Sequence, residues 1–197
     1  MGHCRKDDAR KDIFKTYMNL TEKALRLAAR AHEGQMRKEG GLPYIIHPVM
    51  VAFMLERSGF DEQTVAAALV HDVLEDTQTS AEELERELGS GVRSMVEALT
   101  YDKTLPWKEQ RLHYIESVRA SGGEVKAICT ADKIHNAQSL IASHEKEGKD
   151  VWTHFTRGKE DKLWFEEEVL KMLQESWDHA LIGEYAVLIA QMRELEA

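Results

Sequence analysis

The stretch Val65-Ala66-Ala67-Ala68-Leu69-Val70-His71-Asp72-Val73-Leu74-Glu75-Asp76 decides how this chain folds. Its first half is apolar without interruption, and its second half carries four ionisable side chains. Asp61 is placed to cap a helix, so the spacing predicts a helix from about Glu62 to Glu75. On such a helix His71 and Glu75 lie one turn apart, as do Asp72 and Asp76. An apolar run of this kind belongs inside a protein, so the helix delivers its charges into the interior. Burying them without partners is costly, and a divalent cation would neutralise them. The plainer reading is a helix end where charges emerge into water, although acids at the negative end of a helix dipole gain nothing there.

Outward from this stretch, apolar residues recur at i, i+3 and i+4 and the chain holds only three prolines, so helix dominates. Thr21 reads as the N-cap of a first helix whose apolar positions include Ala24, Leu25, Ala28 and Ala31. Gly40-Gly41-Leu42-Pro43 breaks the chain, and Pro48 suits the first turn of a helix running from Val49 to Arg57. Ser58-Gly59 ends that helix. Ser80-Ala81-Glu82-Glu83 is a capping box, closed by Gly89. Further helices are expected at about 91–99, 107–120, 124–146, 160–175 and 178–195, with a loop from Thr100 to Trp107. The fold class is therefore all-α, a single helical bundle of about eight to ten helices. Residues 1–15 are expected to form a flexible N-terminus and residues 16–197 one domain, with no internal repeat or linker.

The formal net charge of -9 weighs against nucleic acid and anionic membranes as partners. It leaves room for a small anionic substrate, which needs only local cations or a bound metal. No apolar run approaches the roughly 20 residues that cross a bilayer, and no apolar stretch follows Met1-Gly2-His3-Cys4 as in a secretory signal. A cytoplasmic location is the default, and an oligomer is compatible with the sequence. Cys4 and Cys129 form no C-x-x-C pair and are assigned no role.

Two more segments carry candidate chemistry. Ile45-Ile46-His47-Pro48 presents a lone histidine at a helix start, its direction fixed by the following proline. Ile128-Cys129-Thr130-Ala131-Asp132-Lys133-Ile134-His135-Asn136 holds Asp132 inside an apolar helical stretch, with His135 and Asn136 one turn further. A buried aspartate needs a partner. A metal shared by His47, His71, Asp72 and Asp132 would satisfy all four.

In chain order these residues match the H…HD…D signature of the HD superfamily of phosphohydrolases. The surrounding words are narrower. Ala31-His32-Glu33-Gly34-Gln35-Met36-Arg37-Lys38, Pro43-Tyr44-Ile45-Ile46-His47-Pro48, His71-Asp72-Val73-Leu74-Glu75-Asp76-Thr77 and Ala131-Asp132-Lys133-Ile134-His135-Asn136 resemble the hydrolase domain of the RelA/SpoT homologues. Thr100-Tyr101-Asp102-Lys103-Thr104-Leu105-Pro106-Trp107 resembles the loop of the small Mesh1-like alarmone hydrolases. The match is strongest over residues 20–145.

That resemblance implies hydrolysis of the 3′-pyrophosphate of (p)ppGpp, giving GDP or GTP and pyrophosphate. It implies one divalent metal, Mn²⁺, although two imidazoles with two carboxylates also suit iron or another transition metal. It places catalytic duty on Glu75 and Asp76, the alternative being that they only orient the ligands. Arg37, Lys38, Lys103 and Asn136 match residues that contact the nucleotide. Tyr44 is read as either a cleft or a packing residue. Nothing resembles an alarmone synthetase domain. The aromatic and basic run from Trp152 to Phe165 is either a nucleotide wall, with Arg157 or Lys159 on a phosphate, or packing for the last helices. Action on a different nucleotide, and a non-catalytic nucleotide-binding sensor, remain the two alternatives.

Overall fold

The structure, a computed structural model, describes residues 18–37 and 41–197. The expected flexible start, Cys4 and the candidate Lys38 lie outside the described residues. The first helix, α1 (Leu20–Ala31), is capped by Asn19, whose side chain accepts from the Glu22 N–H at 2.8 Å. This corrects the expectation for Thr21. Its N–H instead donates to Glu62 Oε1 at 3.2 Å, because the start of α1 lies beside the start of α3. Helix α2 spans Ile46–Arg57, so Pro48 is its third residue, where an N–H has no intrahelical acceptor to lose. Helix α3 (Glu62–Leu69) is capped by Asp61, as expected, through a 2.8 Å bond from the Thr64 N–H.

The predicted run to Glu75 is broken. The chain leaves α-helical geometry after Leu69 and resumes as a single turn, α4 (Val73–Asp76). The cause is a side chain. In an unbroken helix the Ala68 carbonyl would accept from the Asp72 N–H, but the His71 Nδ1 occupies it at 2.8 Å. The Val70 and Val73 N–H groups fall back on i→i+3 bonds, to Ala67 and Val70, each of 3.1 Å.

Helices α5 (Ala81–Leu88) and α6 (Ser90–Leu99) meet at Gly89, whose φ of +90° a larger residue would resist. Then follow α7 (Trp107–Ala120), α8 (Gly123–Glu147), a 3-10 segment (Gly148–His154), α9 (Gly158–Ser176) and α10 (Ala180–Glu194). The 3-10 segment was not foreseen. Among the described residues there is no strand, only an isolated bridge between Met36 and Pro43. The ten α-helices among the described residues agree with the expected all-α bundle.

Helix α3 sits centrally, packed against α1, α2, α6 and α8, while α8 also packs on α7 and α10. Every residue from Val125 to Ile134 is buried, so α8 runs through the core with Lys126, Asp132 and Lys133 enclosed. Fully buried Leu55, Leu84 and Ile128 each stabilise the fold by about 1.5–3 kcal/mol. Cys129 is buried too, and burial pushes its thiol up to about 11, which suits an inert core residue. Helices α2 and α8 and the α3–α4 turn converge on the side chains singled out in the sequence.

Candidate functional site

His47 is delivered by the first turn of α2, His71 and Asp72 by the α3–α4 turn, and Asp132 by the middle of α8. Their ligating atoms converge. His47 Nε2 lies 3.1 Å from Asp132 Oδ1 and 3.6 Å from Asp72 Oδ2. His71 Nε2 lies 3.2 Å from Asp72 Oδ2 and 3.7 Å from Asp132 Oδ1. Donor atoms of His47, His71 and Asp132 all fall within 4.8 Å of one another.

Hydrogen bonds fix how the rings face. His71 Nδ1 donates to the Ala68 carbonyl, so in the neutral ring the Nε2 lone pair points into the cluster. His71 Nε2 is buried and makes no hydrogen bond, an orphaned atom that a cation would satisfy. His47 Nδ1 lies 2.8 Å from His135 Nδ1. One of the two must donate, and His47 does so if its Nε2 is to face the cluster as a lone pair. Burial, with the neighbouring His47 and Arg37, brings His135 down to about 4, so it stays neutral and able to accept. Two imidazoles and two carboxylates arranged in this way fit a divalent metal.

Charge is balanced tightly. Burial lowers the pKa of His47. It presses on His71 in the same sense, but Asp72 and Asp132 outweigh it and hold His71 well above the ordinary histidine range. Burial alone would raise Asp132, yet Lys133 and the two histidines keep it well below the carboxylate range. Lys133 is itself buried, with Nζ 2.8 Å from Asp132 Oδ2, and the Asn136 amide donates to Asp132 Oδ1 at 2.6 Å. Arg37 continues that chain by donating to Asn136 Oδ1 at 3.0 Å.

Glu75 and Asp76 stand beside the cluster. Burial first, then the carboxylates of Asp72 and Asp76, push Glu75 up to about 7, against the pull of Lys103 and the Tyr101 N–H. Burial and Asp72 also raise Asp76. A pocket of about 20 Å³, room for one water, is lined by Glu75 together with His71, Asp72, Asp132 and Lys133. A wider cleft of about 420 Å³ is lined by Arg37, Tyr44, Glu75, Asp76 and Asn136, together with Phe155 and Lys162. Lys103 is exposed and its ammonium donates to the backbone carbonyl of Glu75.

Tyr44 is a cleft residue. Its hydroxyl donates to Asp72 Oδ2 at 2.5 Å and lies 3.3 Å from Asp76 Oδ2, while its ring stacks on His32. Lys133 was passed over in the sequence, since helical lysines are usually solvated. The signal that could have found it is its place in an otherwise apolar run. The Trp152–Phe165 stretch divides. Trp152 donates to the Glu196 carbonyl and Lys159 to those of Arg193 and Leu195, which is packing. Phe155, Arg157 and Phe165 instead line a second cavity beside the cleft.

An all-helical fold that gathers His47, His71, Asp72 and Asp132 from three separated elements has the character of an HD protein. The HD domain family matches residues 24–161, and the chain belongs to that family. A narrower likeness is to the guanosine-3′,5′-bis(diphosphate) 3′-pyrophosphohydrolases MESH1. The Homo sapiens protein is 42% identical over 116 residues, covering 57% of this chain and 65% of its own length. The Xenopus tropicalis protein is 40% identical over 124 residues, covering 61% and 69%. A solved structure, described as a metazoan ortholog of SpoT that hydrolyzes ppGpp and plays a role in starvation responses, superposes with a TM-score of 0.76. It is 27% identical, over 91% of this chain and 98% of that one.

Proposed function

We propose that the chain is a metal-dependent phosphohydrolase that removes the 3′-pyrophosphate of (p)ppGpp, releasing GDP or GTP and pyrophosphate. The observation that carries this reading is the water-sized pocket lined at once by Glu75 and by three members of the His–Asp cluster. The MESH1 relatives carry the same activity in their names.

His47, His71, Asp72 and Asp132 would hold the cation. A bound divalent ion, Mn²⁺ in this reading and iron as the alternative, supplies Lewis acidity toward a phosphate oxygen and a water. Glu75, with a pKa of about 7, is suited to take a proton from a water lying in the pocket beside it. The new bond forms between that water's oxygen and the phosphorus next to the ribose 3′-oxygen. The bond from this phosphorus to the 3′-oxygen breaks, and the oxygen leaves as a hydroxyl once protonated. Asp76, raised by burial and by the Asp72 carboxylate and lining the cleft, would handle that second proton. Tyr44 keeps Asp72 oriented. Arg37 and Asn136, already joined to each other, take the base and sugar, since a guanidinium stacks on a base plane. Lys38 and Lys103 complete the nucleotide contacts in this reading. No described helix is long and apolar enough to cross a membrane, and a cytoplasmic nucleotide is the substrate we assign.

The test is pyrophosphate release from ppGpp by Mn²⁺-loaded protein, beside a panel of ordinary nucleotides. Selective release from ppGpp is expected. Turnover of another nucleotide alone would keep the chemistry and overturn the substrate, and no turnover of any would leave a sensor.

A further inference from the structure

The second cavity is not used by the proposed reaction. It encloses about 510 Å³ between the α6–α7 loop, α7 and α9, and shares only Phe155 and Lys162 with the cleft. Small-molecule sites run to roughly 300–1,000 Å³. Its lining joins aromatic faces to positive charge. Tyr101, Trp107 and Phe165 face it, and four Lys and Arg side chains stand against one carboxylate, Asp161, in a chain of net charge -9.

Three of those four cations are matched by carboxylates: Lys133 by Asp132 at 2.8 Å, Arg157 by Asp161 at 3.6 Å, and Lys162 by Glu166. Arg111 has no carboxylate partner among the described residues. Its guanidinium is held by ring faces, 3.9 Å from the Tyr101 centroid and 5.0 Å from that of Phe165. Its Nη1 is buried without a hydrogen-bond partner, and a charged donor left unmet is costly. An anion is the acceptor that such a donor wants.

We propose that this cavity is a second ligand site, for a nucleotide whose base stacks on Trp107 and whose phosphate meets Arg111. Stacking on aromatic faces tolerates any base, so the class is set by the ring and the phosphate rather than by one nucleobase. Lys133 lines both this cavity and the pocket at the cluster, so an occupant lies one side chain from the reaction centre.

The test uses the metal-free full chain and ADP, which has a base and a 5′-diphosphate but no 3′-pyrophosphate. Its heat of binding is followed by calorimetry, so the result does not depend on turnover. Arg111→Met and Trp107→Leu, both checked for helical content, should each raise the dissociation constant at least about tenfold, because each removes one bidentate or stacking contact. Asn136→Ala, in the cleft, should leave it unchanged. That pattern supports the site. Absence of saturable binding, loss in Asn136→Ala, or retention in either cavity variant overturns it.

Discussion

The His–Asp cluster and the aromatic cavity stand side by side and share Lys133, yet the cavity adds a second way of holding charge, on ring faces. In the cluster every charge is met by a charge or a directed hydrogen bond. Asp132 alone receives Lys133, Asn136 and His47. In the cavity Arg111 and Arg157 lie on ring faces, Arg157 4.7 Å from the Trp107 centroid. A directed network fixes atoms in place, which bond cleavage requires, but removal of one member strands the rest. A cation on a ring face tolerates sliding, which suits binding, and each such contact is worth only about 0.5–2 kcal/mol.

The difference is broken most severely by Asp132→Ala. It leaves the buried Lys133 ammonium without its partner, so urea denaturation of the metal-free chain should show a loss of about 3–5 kcal/mol. Metal content after purification should fall to background with it. Arg111→Met in the cavity should cost no more than about 2 kcal/mol. Equal losses at the two positions would erase the contrast.

Glu75→Gln separates chemistry from scaffold. The amide keeps the shape of the side chain but cannot take a proton, so kcat should fall by roughly 10²- to 10⁴-fold with metal content unchanged. An unaltered kcat would leave Glu75 as a support for the ligands.

The cluster was legible in the sequence because its residue types are out of place there. A histidine and an aspartate at the end of Val65–Val70, and an aspartate inside the apolar run of α8, announce themselves as buried charges. The break before α4 was not legible, since it comes from the His71 ring competing for the Ala68 carbonyl, and local propensity says nothing of that contest. Nor was the cavity. Tyr101, Trp107 and Phe165 come from a loop and two helices, and only packing distinguishes them from Trp152, which seals a smaller core with Leu140, Val151 and Met192.

His135→Phe probes whether the network reaches beyond the ligands. It removes the acceptor for His47 Nδ1 while keeping a planar ring, so Mn²⁺ affinity measured by calorimetry should weaken about 10- to 100-fold. His135→Asn, which retains an acceptor, should recover part of it. Equal affinity in wild type and His135→Phe would confine the network to the four ligands.

The smallest effect is expected at Lys103, an exposed cation beside Glu75. Its ammonium caps the Glu75 carbonyl and pulls the Glu75 pKa down, against burial and two carboxylates that together hold it up at about 7. A base works only when ionised, so the rate should be full above that pKa and fall tenfold per pH unit below it. Removing the cation in Lys103→Met lets the Glu75 pKa rise further. The acid limb of kcat should then move to higher pH, by a fraction of a unit for a solvent-exposed charge, with the alkaline plateau unchanged. A lysine serving only the substrate phosphate would leave the limb where it stands and raise KM at every pH. The profile of kcat against pH, set beside that of KM, therefore decides whether Lys103 belongs to the proton-handling network or to the binding surface.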